Sequence, residues 1–85
     1  MRVNPKAILQ EEKGEAILFD PETLLTFWLN ESGIRIWKLL QTGSSPEGIV
    51  QQMKKDYEIE NEEALKSDVL SFTETLIKQG FILKD

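Results

Sequence analysis

Apolar and polar residues alternate along three short segments in the first third of the chain, and this pattern predicts three β-strands. The strands cover residues 3–9, 15–19 and 24–29, with turns expected over residues 10–14 and at Asp20-Pro21. Pro5 lies inside the first segment and cannot donate a ladder hydrogen bond, so that strand is expected at an edge or end. Alternation along the third strand puts its side chains on two faces. Leu25, Phe27 and Leu29 lie on one face, and Leu24, Thr26 and Trp28 lie on the other.

The spacing of apolar residues becomes helical after Asn30, which can cap a helix N-terminus with its side-chain oxygen. The first helix is predicted over residues 31–41. Ser45 and Pro46 then have the residue types of a helix cap and a first helical position, so they predict a second helix. The apolar side of that helix carries Ile49, Val50, Met53 and Tyr57.

A third and longest helix is predicted between its cap, Asn61, and Gly80, which can adopt the left-handed closing conformation. Its main apolar stripe consists of Leu65, Val69, Phe72 and Leu76. Strands followed by helices predict an α+β fold, in which a three-stranded antiparallel sheet precedes three helices. A chain of 85 residues is expected to form one domain over residues 1–85.

Composition excludes several kinds of chemistry. The chain has no Cys and no His, which excludes disulfides, thiolate metal sites, cysteine nucleophiles and histidine bases or ligands. The formal net charge of −5 repels polyphosphates and argues against a nucleic-acid partner. No apolar run is long enough to span a membrane, and the N-terminal residues lack a secretory signal. We therefore expect a cytoplasmic protein with no membrane partner.

The remaining polar groups do not form a catalytic or metal-binding pattern. Acidic residues cluster between positions 56 and 63, but they lack the spaced Asp or Asn and the Gly of a calcium loop. A solvated face beside a helix start explains them better. No P-loop, nucleophile elbow or dinucleotide fingerprint occurs. We expect no catalytic residues, no metal and no cofactor, and hence a protein that is not an enzyme.

Binding is the function that the pattern favours. An exposed edge of a small sheet, next to a long helix, forms a groove that an extended peptide can enter as an added strand. About five backbone hydrogen bonds, each worth about 0.5–1.5 kcal/mol, barely exceed an association cost of at least roughly 4 kcal/mol. Micromolar binding would therefore require apolar side chains inserted between strand and helix.

Motifs spread over residues 3–83 resemble the PqqD family. They are Leu29-Asn30-Glu31-Ser32-Gly33, Ile36-Trp37 with Leu39-Leu40, Glu47-Gly48-Ile49-Val50, and Asp68-Val69-Leu70-Ser71-Phe72 with Leu76, Gly80 and Phe81. Their order and joint spacing carry the resemblance. It implies a winged helix-turn-helix-like fold that recognises ribosomally made, post-translationally modified peptides and is not an enzyme. Pyrroloquinoline quinone biosynthesis is the founding pathway.

The resemblance also implies a mode of binding. In the family, the leader segment of a precursor peptide adds as a strand beside the third strand and packs on the third helix. The domain then delivers the peptide to a modifying enzyme, often a radical SAM protein. Carried over to this chain, the backbone partners would be Leu25, Thr26, Phe27, Trp28 and Leu29, and the helical wall would be Leu65, Asp68, Val69, Phe72 and Leu76. Asp68 could pair with a basic leader residue or remain a solvated carboxylate.

Two positions depart from the family pattern. Gly48 stands where an acidic residue more often completes a capping box, which should loosen the second helix slightly. Thr73 stands at a position that is usually apolar, and it is expected to make part of the groove wall more polar.

Two other functions remain open at this point. A winged-helix DNA-binding regulator has the same topology, but the acidic charge argues against it, as does a third helix with only Lys66 and Lys78 as basic residues. A structural subunit of a maturase complex is the second alternative. The oligomeric state is expected to be a monomer or a weak dimer.

Overall fold

The computed structural model describes residues 2–84 and has an α+β architecture. The predicted class, a three-stranded antiparallel sheet followed by three helices, is confirmed. The elements in chain order are β1 (Arg2–Val3), β2 (Ile8–Glu12), β3 (Glu15–Phe19), β4 (Thr26–Leu29), α1 (Glu31–Gln41), α2 (Pro46–Asp56), α3 (Glu62–Lys78) and β5 (Ile82–Leu83).

The main sheet has the order β2-β3-β4, so β2 and β4 are its two edges. The strand predicted over residues 3–9 is wrong in its bounds, because residues 10–12 pair with β3 rather than forming a turn. The turn is confined to Lys13 and Gly14, whose φ angles of 49° and 81° match a two-residue hairpin turn with two left-handed positions. Pro5 lies in a separate turn, closed by a 3.0 Å hydrogen bond from the Ala7 N–H to the Asn4 carbonyl.

A second sheet joins the two ends of the chain. Arg2 pairs with Leu83, and Val3 pairs with Ile82, in a two-stranded antiparallel sheet. The sequence pattern did not predict this pairing, because strands of two residues are too short to show alternation. The pairing brings the chain start against the segment that follows α3.

The three helices begin at the predicted caps. Asn30 Oδ1 accepts a hydrogen bond from the Gly33 N–H at 2.9 Å. Asn61 Oδ1 accepts one from the Ala64 N–H at 3.0 Å, and Ser45 Oγ accepts one from the Gly48 N–H at 3.1 Å. Each cap satisfies one of the N–H groups that a helix start leaves without an intrahelical partner.

One core lies between the inner face of the main sheet and the helices. Its largest fully buried side chains are those of Trp37, Phe81, Leu18, Ile49, Leu76, Ile82 and Val69. Leu29 on β4 also belongs to this core, and Phe27, on the same face of the strand, packs against it half-buried. Leu25, grouped with them by the alternation, precedes the strand and is exposed.

The turn between β3 and β4 is one residue longer than a type I turn, because the Leu24 N–H donates to the Asp20 carbonyl at 2.8 Å. Asp20 is buried, and its Oδ1 accepts hydrogen bonds from the backbone N–H groups of Glu22 at 2.8 Å and Thr23 at 3.3 Å. Leu24 has a φ of 67°, a conformation that a leucine rarely adopts, and its side chain is exposed. The carboxylate of Asp20 therefore organises the entry into β4.

Asn4 connects this turn to the end of α3. Its Nδ2 lies 3.0 Å from the Gly80 carbonyl oxygen and 3.5 Å from Asp20 Oδ2. Its backbone N–H donates to the Phe81 carbonyl at 2.8 Å. Three segments that are distant in sequence thus share one polar cluster.

We predict that Gly48→Glu raises the free energy of unfolding by about 0.5–1.5 kcal/mol, because it replaces a flexible residue and completes a capping box with Ser45. A Cβ at Gly48 has Ser45 Oγ as its nearest neighbour, at an ordinary 3.4 Å. Urea denaturation measures the change. Gly14→Ala is the matched control and should destabilise the protein, because Gly14 has a φ of +81°. Equal changes in the free energy of unfolding for Gly48→Glu and Gly14→Ala would contradict the prediction.

Asp20→Ala should lower the free energy of unfolding by about 1–3 kcal/mol, because two backbone N–H groups lose their acceptor in a buried turn. Asp20→Asn keeps an Oδ1 acceptor and should lower the free energy of unfolding by less than Asp20→Ala. Glu22→Ala is the control, since it removes only an exposed ion pair with Lys6 and should change stability by less than about 0.5 kcal/mol. Thermal and urea unfolding of the three variants provide the measurement, and a wild-type stability for Asp20→Ala would refute the role of this carboxylate.

Candidate functional site

The outer edge of β4 has no strand paired to it among the described residues. Its register with β3 determines which backbone groups point away from the sheet. The Asp20 N–H donates to the Leu25 carbonyl at 3.0 Å, and Leu18 and Phe27 are opposite partners. Because hydrogen-bonded pairs alternate along an antiparallel ladder, Phe27 and Leu29 direct their N–H and C=O groups toward β3. Thr26 and Trp28 therefore direct theirs outward.

A groove of about 610 Å³ lies beside this free edge, and we call it the edge groove. It is bounded by β4, by the start of α1 and by the middle of α3. Its lining consists of Glu15, Phe27, Trp28, Leu29, Asn30, Ser32, Gly33, Ile36, Asp68 and Phe72. The groove thus combines unpaired strand backbone with an apolar surface.

Aromatic rings form the contact between β4 and α3. The rings of Phe27 and Phe72 have centroids 6.0 Å apart and meet edge to face at 69°. Both side chains are half-buried, so each presents part of its ring to the groove. Trp28 lies beside them and is 69% exposed. Such a surface is suited to apolar or aromatic side chains of a ligand.

The charged groups of the edge groove are both acidic. Glu15 and Asp68 line it, and its lining contains no Lys or Arg. Elsewhere in residues 2–84, Lys6, Arg35, Lys38 and Lys54 form ion pairs with Glu22, Asp56, Glu11 and Glu62, none of which lines the groove. The groove therefore has a negative potential that favours a cationic group on a ligand.

The predicted site residues divide into four groups. The edge groove brings together Phe27, Trp28, Leu29, Asp68 and Phe72. Leu25 and Thr26 are exposed on the approach to it, and Leu65 is half-buried against the core. Val69 and Leu76 are both 0% exposed. Their side chains belong to the core, so of the five residues predicted for the helical wall only Asp68 and Phe72 line the groove.

The prediction for Thr73 is also corrected. Thr73 was expected to make the groove wall more polar, but its side chain is buried in α3. Its Oγ1 donates a hydrogen bond to the Val69 carbonyl at 2.8 Å. The hydroxyl is satisfied within its own helix, so Thr73 contributes no polar group to the groove.

Five lining residues were not predicted as part of the site. Glu15 is the first residue of β3, and Ile36 is a core residue of α1. Asn30, Ser32 and Gly33 form the junction between β4 and α1, where the sequence indicated only a helix cap. These junction residues could have been predicted from the direct connection of an edge strand to a helix. With one residue between β4 and α1, the first turn of the helix must lie beside the end of the strand.

Other kinds of site find no support in the described part of the chain. No group of at least three His, Cys, Asp or Glu side chains among residues 2–84 is arranged to hold a metal ion. Over the same residues, no helix has the length and apolar character needed to cross a membrane.

Comparisons with known proteins agree with the fold described above. Residues 15–82 match the family model of coenzyme PQQ synthesis protein D (PqqD). The solved structure of TbiB1 in complex with the TbiA(beta) leader peptide is similar, with a TM-score of 0.85, 25% identity and 100% of each chain covered. Lasso peptide synthetase B1 complexed with the leader peptide has a TM-score of 0.83 and 22% identity, covering 98% of this chain and 96% of that one. No curated protein matches the chain.

We predict that Phe27 and Phe72 are energetically coupled by about 0.5–1.5 kcal/mol, the range for edge-to-face aromatic pairs. A double-mutant cycle with Phe27→Leu and Phe72→Leu, followed by urea denaturation, measures the coupling. Phe27→Leu combined with Leu70→Ala is the control, because Leu70 is exposed on α3 outside the edge groove. That pair should be additive within about 0.5 kcal/mol. If the changes in free energy of unfolding for Phe27→Leu and Phe72→Leu are additive, the ring contact does not contribute to stability.

Proposed function

The chain belongs to the PqqD family, and we propose that it binds the leader segment of a ribosomally made precursor peptide and presents that peptide to a separate modifying enzyme. The solved complexes of TbiB1 and of lasso peptide synthetase B1 each hold a leader peptide, and TbiB1 matches this chain over its full length. The observation that carries the proposal is the unpaired edge of β4 beside the apolar edge groove.

Strand addition is the binding mode that this edge supports. Thr26 and Trp28 direct two N–H and two C=O groups away from β3, by the alternation of the ladder. A leader in extended conformation would pair with those four groups. The sequence-based set of backbone partners, residues 25–29, is thereby narrowed to the two residues whose groups point outward.

Backbone pairing alone is too weak for stable binding. Four hydrogen bonds contribute roughly 2–6 kcal/mol net, which is close to the association cost of at least about 4 kcal/mol. The rings of Phe27 and Phe72, which meet edge to face beside the strand edge, supply the additional apolar contact. An added strand points every second side chain to the same face, so alternate leader residues would enter the groove.

The charge of the edge groove favours a peptide over a nucleic acid. Glu15 and Asp68 line the groove, and the chain carries a formal net charge of −5. Phosphate groups would be repelled, whereas a Lys or Arg in the leader would be attracted. This supports the peptide-binding proposal over the winged-helix DNA-binding alternative.

The role we propose is non-catalytic. The chain would hold the leader while a second protein modifies the rest of the precursor, as the family resemblance implies. A radical SAM protein is the enzyme class predicted from that resemblance, and a cytoplasmic location is predicted from the sequence, which shows no secretory signal at its N-terminal residues. Both remain predictions, as does a scaffold role within a maturase complex.

Hydrogen exchange of the backbone amides tests strand addition directly. In the free chain, the amides of Phe27 and Leu29 should exchange slowly, because they pair with β3, while those of Thr26 and Trp28 should exchange fast. A synthetic leader of the cognate precursor peptide should slow the exchange of the Thr26 and Trp28 amides by at least about tenfold at saturation. Unchanged exchange at both residues, despite measured binding, would exclude strand addition at β4.

Substitution of the groove wall tests the apolar contribution. Phe72→Ala should weaken the affinity for the same leader by at least about tenfold, since it removes a ring that lines the groove. Leu70→Ala is the matched control on α3 and should bind normally, because Leu70 lies outside the groove. Phe72→Leu keeps apolar volume in case the alanine variant unfolds, and it should have an intermediate affinity. Equal leader affinities for all variants in isothermal titration would contradict the proposal.

A further inference from the structure

The outer face of the main sheet, which points away from the helices, is unusually apolar. Cross-strand pairing puts Ile8, Phe19 and Thr26 in one row and Gln10, Ile17 and Trp28 in the next. These residues alternate with the inner-facing Leu18, Phe27 and Leu29, which contribute to the core or pack against it. We call this surface the outer face, and its apolar members are Ile8, Ile17, Phe19 and Trp28.

The outer face is accessible over much of its area. Ile8 is 46% exposed, Trp28 is 69% exposed, and Ile17 and Phe19 between them are half-buried. The solvent side of an antiparallel sheet normally carries polar residues. Four large apolar side chains on adjacent strands instead form a contiguous patch, which is typical of a surface that binds another protein.

The charges beside the patch indicate the chemistry of its partner. A shallow cavity of about 410 Å³ lies at the end of the outer face that is next to the β2–β3 turn, beside Ile17 and Trp28. Its charged lining consists of Glu11, Glu12 and Glu15 against a single Lys13. Glu11 forms an ion pair with Lys38 of α1, whose Nζ lies 2.8 Å from Glu11 Oε1. Glu12 and Glu15 are therefore the remaining acidic groups of this border. The complementary surface is therefore apolar with a Lys or Arg at its margin.

A second copy of this chain fits the patch poorly. Each chain has a formal net charge of −5, so two outer faces in contact would bring together two chains of like charge. Like charges in a contact cost affinity. The acidic border thus favours a different protein.

The outer face is continuous with the edge groove. Trp28 and Glu15 line both the groove and the shallow cavity. A strand added beside β4 would extend the sheet, so that every second side chain of the peptide would join the outer face next to Thr26 and Trp28. A protein seated on the outer face would therefore touch the bound peptide as well.

We infer that the outer face is the docking surface for the modifying enzyme, which binds through an apolar patch with a basic margin and contacts the added leader strand. The identity of the partner as that enzyme rests on the proposed function. Because the two ligands touch each other, the enzyme binds the leader-loaded chain more tightly than the free chain, and by linkage the enzyme tightens leader binding by the same factor.

The test measures the affinity of this chain for the separately purified modifying enzyme of its precursor peptide, with and without saturating leader. Ile8→Glu and Glu12→Lys should each weaken enzyme binding by at least about tenfold, because one inserts a charge into the patch and the other reverses its acidic border. Neither residue lines the edge groove, so leader affinity should stay at the wild-type value. Leader should tighten enzyme binding to the unsubstituted chain.

Leu70→Glu and Glu74→Lys are the matched controls. Leu70 is 44% exposed, close to the exposure of Ile8, and it faces α2 across α3 from the edge groove. Glu74 lies one turn further along the same side of α3. Both variants should bind the enzyme and the leader normally.

Three outcomes overturn the inference. The first is wild-type enzyme affinity for Ile8→Glu and Glu12→Lys, and the second is a loss confined to Leu70→Glu. The third is a concentration-dependent dimer, seen by sedimentation, that Ile8→Glu abolishes, since a second copy would then be the occupant. Loss of leader affinity is measured separately on the same variants, so a failure of the proposed peptide function is distinguishable from a failure of the docking surface.

Discussion

The direct connection of β4 to α1 at Asn30 constrains the rest of the molecule. Asn30 ends the strand and caps the helix, with its carbonyl accepting from the Ile34 N–H at 2.9 Å and its Oδ1 accepting from the Gly33 N–H at 2.9 Å. A Cβ at Gly33 would lie 3.3 Å from Leu29 Cδ2, so the helix start packs closely on the strand end. With no linker, α1 must leave the sheet at its edge, and the groove forms where strand, helix start and α3 meet.

An unpaired edge strand is a liability in a small protein, because its free N–H and C=O groups can pair with any extended chain. Here the free edge is short, since β4 has only four residues, and acidic side chains line the groove beside it. Both features limit pairing with unsuitable chains while leaving the edge open to a peptide of complementary charge and shape. Selectivity at this edge then depends on side chains, because backbone pairing is the same for every sequence.

The remainder of the structure holds that edge in place. A chain of 85 residues has a small core, and the polar cluster of Asn4, Asp20 and the Gly80 carbonyl connects the β3–β4 turn to both ends of the chain. The pairing of β1 with β5 joins the two ends of the chain next to this cluster. On the other side of the strand turn, β4 meets α3 through the edge-to-face contact of Phe27 with Phe72.

Local patterns by themselves determined the helix starts, the α+β class and the passage from strand to helix at Asn30, because caps and periodicity act over a few residues. Only the tertiary structure decided that Val69 and Leu76 are core while Phe72 faces the groove, since an apolar stripe on α3 does not specify which neighbour covers each side chain. It also decided the pairing of β1 with β5 and the outward direction of the Thr26 and Trp28 backbone groups. Those features arise from contacts between segments distant in sequence, and local periodicity carries no information about such contacts.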